Sequence, residues 1–139
     1  MRRFAPLALV LIAAGCGGGG STTERAATAT QPSVVKPLVG TFHGVLKGTV
    51  RLQAHGSKQT AVTLDVGTGT GSRTVSVELD RGSCGAAKAL QLAKPLGAMR
   101  SPDQSWSVTE ALPTLTASPL AVVIRGANHG VVSCAQIGR

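Results

Sequence analysis

The chain has 139 residues, a formal charge of +8, 42% hydrophobic residues and only 2% aromatic ones. That length suits one domain, and with Phe42 and Trp106 the only aromatics beyond the first few residues, its core must be built from Val, Leu, Ile and Ala. The basic residues are scattered, without a dense Lys/Arg run or an aromatic ladder on which bases could stack, which excludes a nucleic-acid footprint and leaves a solvated cationic surface drawn to anionic lipid or wall polymer.

The first segment, MRRFAPLALVLIAAGC, places Arg2 and Arg3 before an apolar run from Phe4 to Ala14. The run is too short to span a bilayer. With Ala13, Ala14 and Gly15 after it, it has the shape of a secretory signal. Ending on Cys16, it resembles the bacterial lipoprotein signal, although Ala13 stands where that family prefers Leu. The resemblance implies removal of residues 1–15 and acylation of Cys16, by diacylglycerol and a fatty acid such as palmitate. Such a terminus holds a membrane stably, each buried methylene contributing about 0.8 kcal/mol. The expected location is the cell membrane, facing outside or into the periplasm, with the lipid as the membrane contact. Loss of Arg2 and Arg3 would leave a charge of about +6. Ordinary cleavage with Cys16 unmodified is the alternative. Residues 16–39, rich in Gly, Thr, Ala and Pro, have no hydrophobic period and read as a flexible tether reaching about 25 Å.

A single β domain is expected over residues 40–139. TVRLQA, TAVTLDV and TVSVELD each alternate apolar and polar residues, putting Val50, Leu52, Val62, Leu64, Val75, Val77 and Leu79 on buried faces. HGSK and GTGTGS separate these runs as turns, and three successive antiparallel strands are the simplest arrangement. AAKALQLAK, residues 86–94, consists of good helix formers but is stopped by Pro95, so a short helix and an irregular connection both remain open. Trp106 to Glu110 is a weak strand. PLAVVIRG and GVVSCAQI read as two strands partly covered on both faces, joined by a turn at GANH. These elements predict an all-β, antiparallel sandwich or partly open barrel.

With Cys16 assigned to lipid, Cys84 and Cys134 remain as an even pair in an exported chain, suited to one disulfide; two separate buried thiols are the alternative. Alternation also places Ser76, Glu78 and Asp80 on the face of their strand opposite the core, with the two carboxylates about 6.6 Å apart along it.

ELDRGSCG, LTASPLAVVIRG and VVSCAQI together resemble the Cu/Zn superoxide dismutase-like β-sandwich, over residues 40 to 138 in order and pattern. The resemblance implies a Greek-key sandwich and pairs Cys84 with Cys134. It also puts Glu78 and Asp80 at the two positions of the family's His-x-His motif, Arg125 at the histidine of the later strand, and Val131 at the substrate-steering arginine. A guanidinium remains protonated and cannot ligate a metal, and copper redox chemistry needs imidazole donors. The expectation is therefore a non-catalytic scaffold without a cofactor, its carboxylates solvated or paired with Arg81, Arg73 or Arg125. Its protein or cell-wall partner is not identified by the sequence.

A copper- or zinc-binding role, or residual dismutase activity in the envelope, is the competing expectation. It would draw on Glu78, Asp80 and His129, the last in the turn after Arg125; His43 and His55 show no ligand spacing. Hydrolysis lacks a Gly-x-Ser-x-Gly elbow, and GTGTGS lacks the lysine of a phosphate loop.

Overall fold

The computed structural model describes residues 35–67 and 74–138. Eight strands form one antiparallel sheet: β1 (Leu38–Gly44), β2 (Gly48–His55), β3 (Gln59–Val66), β4 (Ser76–Arg81), β5 (Gln91–Ala98), β6 (Asp103–Val108), β7 (Leu120–Arg125) and β8 (Val131–Ile137). Neighbours run in the order β5-β4-β7-β8-β1-β2-β3-β6. The sheet curls into a nearly closed barrel. Its two edge strands face each other across a gap of about 190 Å³ between Lys94–Leu96 on β5 and Trp106–Val108 on β6, with Thr109 just beyond.

The period-2 apolar residues build the interior. Val50, Leu52, Val62, Leu64, Val77, Leu79, Val122 and Ile124 are fully buried, and Phe42 is the one aromatic among the largest buried side chains. β7 is covered on both faces, so all five residues of LAVVI are buried. A one-turn helix, α1 (Leu112–Leu115), inserts Leu112 and Leu115 into the same core.

The expected strands occur, but one of them pairs differently and the open segment after it is resolved. The third alternating run does not extend a hairpin from β3; as β4 it pairs with β5 and β7, while β3 pairs with β2 and β6. Residues 86–94 form no α-helix. A 3-10 segment, Cys84–Ala89, is followed directly by β5, because Leu90 is extended at ψ 130°. Pro95 sits inside β5, tolerated because an edge strand has one side with no ladder bond to donate. β1 runs from Leu38, pairing with β2 from its first residue. The GTGTGS connection falls mostly outside the described residues, whereas HGSK and GANH are turns as expected.

Candidate functional site

The strand period sets Val75, Val77 and Leu79 of the β4 region into the core, at 4%, 0% and 0% exposure, and turns Glu78 and Asp80 to the outer face. On β7, the residues opposite them are Val123 and Ala121. Neither is long enough to cover a carboxylate. Arg125 lies two positions farther along β7, opposite Ser76, and its side chain runs back across these shorter neighbours.

The guanidinium donates from three nitrogens. Nε donates to Glu78 Oε2 at 2.6 Å and Nη2 to Asp80 Oδ2 at 2.5 Å, while Nη1 reaches the His129 carbonyl at 3.2 Å. The side chains are 18% (Arg125), 17% (Glu78) and 0% (Asp80) exposed. The carbonyl is aimed by a tight turn in which Gly126 N donates to Gly130 O and His129 N to Gly126 O, with His129 at φ 59°.

One acceptor is left over. Asp80 Oδ1 is buried without a hydrogen-bond partner. Burial pushes the Asp80 carboxyl above its usual range and outweighs the opposing pull of Arg125, with Glu78 adding repulsion. Burial by itself pulls Arg125 down, but the bonds and charges of Glu78 and Asp80 overcome this and raise it. The guanidinium therefore stays charged.

A disulfide, Cys84–Cys134, holds the 3-10 segment against this outer face. Around it Ala121, Val123, Cys134, Cys84 and Leu90 form a second, small apolar cluster. Gln136 ties the same segment down, accepting from Cys84 N at 3.0 Å and donating to Leu120 O at 2.8 Å.

Of the residues singled out in the sequence, the fold brings together Glu78, Asp80 and Arg125. His129 joins through its backbone, and its side chain is exposed. His43 stands opposite Cys134 on β1, exposed, and His55 ends β2. Among the described residues no group of three His, Cys, Asp or Glu side chains is placed to hold a metal ion. Arg81 goes elsewhere, donating to Leu115 O and Ser118 Oγ and lying 3.9 Å from Glu110. Arg73 and Cys16 fall outside the described residues.

No family model, curated protein or solved structure matches this chain.

The sequence reading missed Glu110, whose carboxylate lies 3.9 Å from Arg81 and 3.7 Å from Lys94 at the barrel gap. It also missed Ser133, a fully buried hydroxyl that accepts from Leu46 N at 2.7 Å and donates to Leu46 O at 3.0 Å. A signal for the Arg125 fork did exist. A cation ending the apolar run LAVVIR needs a partner, and two carboxylates lay on a strand of matching pattern.

Proposed function

We propose that this chain is an exported lipoprotein, anchored through Cys16, whose β domain is a non-catalytic relative of the Cu/Zn superoxide dismutase sandwich and serves as a binding or structural module of the cell envelope. The observation that carries the reading is the Arg125 fork. A permanently charged side chain occupies both carboxylates at the positions where that family has its first imidazole pair. The strand order agrees with a Greek-key path, since the chain leaves β3 to lay down β4 and β5 on the far side and returns with β6 beside β3. The disulfide joins the two cysteines that the resemblance pairs.

A copper or zinc site on Glu78, Asp80 and His129 is the competing reading. Asp80 Oδ1 is the single feature in its favour, and it would require Arg125 to release both carboxylates. Intact mass of the chain recovered from membranes tests the anchor: a chain beginning at Cys16 with diacylglycerol and fatty acyl additions is expected, and an unmodified Cys16 overturns it. A superoxide assay after copper and zinc loading tests the catalytic side, with a rate equal to the buffer control expected and a metal-dependent rate contradicting it.

A further inference from the structure

The end of the barrel where β1 begins is the one that continues from the N-terminal segment, and there two strands separate. β1 pairs with β8 only over Phe42–Gly44, opposite Ser133–Ala135; ahead of that point Leu38–Thr41 bond only to β2. The strands still touch at Gly40, where an added Cβ would lie 2.7 Å from Gln136 O. Below Gly40 they part, and two grooves open in the wedge. One, of about 260 Å³, runs between Leu38, Pro119 and Ile137. The other, of about 410 Å³, runs along Lys36, Pro37, Val39 and Gln136. They share Leu38 and Gly138.

Apolar side chains stand exposed at the rim, Val35 at 44% and Val39 at 55%. Cations lie at the same end. Lys36 lines the second groove, Arg51 is the register partner of Val39, and Lys58 lies in the β2–β3 turn that projects at the same end. All three are exposed, and none makes an ion pair among the described residues. Among the described residues the acids closest to this end are engaged, Glu110 by Arg81 and Lys94, and Asp80 by Arg125. Asp65 and Asp103, opposite each other, lie toward the other end, where they stand among exposed Val45, Lys47 and Arg100; carboxylates set the two ends apart.

We infer that this end of the barrel is a membrane-contact surface, which takes anionic phospholipid headgroups on Lys36, Arg51 and Lys58 while Val35, Val39 and the wedge between β1 and β8 accept apolar parts of the interface. The inference rests on the anchored reading in one respect: Leu38 follows Cys16 by 22 residues, so this end of the domain is the one joined to the lipid. Charge complementarity chooses the occupant, because cations without an ion pair among the described residues, beside exposed valines, match an anionic interface, each cation contributing roughly a fivefold gain in binding.

The test uses the full chain as cells process it, reconstituted on vesicles of phosphatidylcholine alone or mixed with phosphatidylglycerol, with backbone hydrogen exchange as the readout. Amides at 38–41, 116–118 and 137–138 should exchange at least about fivefold more slowly on the anionic vesicles, and high salt should remove the effect. Lys36→Glu/Arg51→Glu should abolish that protection. Lys47→Glu/Arg100→Glu, the same charge change at the opposite end, should leave it in place. Equal exchange on both vesicle types, protection at the other end, equal effects of the two double variants, or protection by a soluble polyglycerol phosphate in place of vesicles would each overturn the inference. Intact mass reports acylation of Cys16 separately, so an unacylated chain that still shows this protection refutes the anchor and upholds the surface.

Discussion

Replacing Arg125 with Met removes the one cation that holds Glu78 and Asp80. Asp80 is 0% exposed and already has one oxygen without a partner, so the variant leaves a buried carboxylate with neither oxygen engaged by Arg125, beside a second carboxylate 17% exposed. Breaking a buried pair from one side costs about 3–5 kcal/mol. The lower figure applies because Glu78 and Arg125 keep some contact with water. For a domain of this size, about 3 kcal/mol corresponds to a fall in Tm of roughly 12–24 °C at neutral pH. Calorimetry on the oxidised protein measures it. Arg125→Met/Glu78→Gln/Asp80→Asn should regain most of the loss, since replacing every member of a buried pair with uncharged groups is close to neutral. A fall below about 3 °C in the single variant, or a triple variant no more stable than the single one, would refute the idea that the fork neutralises a buried charge.

Asp80→Asn isolates the titration of that carboxyl. Its value is raised in the folded chain, so its contribution to stability is complete below the ordinary carboxylate value and is lost as pH rises through the raised one. The stability of the wild type relative to Asp80→Asn should therefore increase as pH falls from 7 toward 4, as read by denaturant titration at each pH; a gap that shrinks would mean that Arg125 outweighs burial. Cys84→Ala/Cys134→Ala opens a link spanning 50 residues and should cost about 4 kcal/mol on the chain-entropy estimate, with an unchanged guanidinium midpoint counting against any stabilising role. Gly44→Ala should be severe, because Gly44 sits at φ +131° and an added Cβ would run into Val132 O. Gly56→Ala, at φ +69° in open space, should cost only about 1 kcal/mol. Comparable losses in the two glycine variants would contradict the close approach of β1 to β8.

The strands that alternate apolar and polar residues were legible because one face of each is buried and a slip of one residue would turn its valines to water. Which strand lies beside which was not, since Val75, Val77 and Leu79 carry the same pattern whether β4 pairs with β3 or with β7. β5 was hidden by its composition. Gln91, Leu92, Ala93 and Lys94 favour helix locally, yet pairing Leu79 with Lys94 and Asp80 with Leu92 draws them into the sheet edge. At the site, alternation was enough to put Glu78 and Asp80 side by side on the outer face. The choice of Arg125 over Arg81 required the register, which sets Arg81 opposite Leu120 and turns it toward the α1 connection. Asp80's complete burial had no signal in the sequence, because it depends on the neighbours that fold over this face.

Metal content of the full-length, oxidised chain after exposure to copper and zinc and removal of the excess by dialysis bears most closely on the neutralised carboxylate pair. With Arg125 holding both Glu78 and Asp80, far less than one ion per chain should remain, and Glu78→Ala/Asp80→Ala should retain no less than the wild type. One tightly held copper or zinc per chain, lost in that double variant, would contradict the proposal that an internal cation has taken the place of a metal.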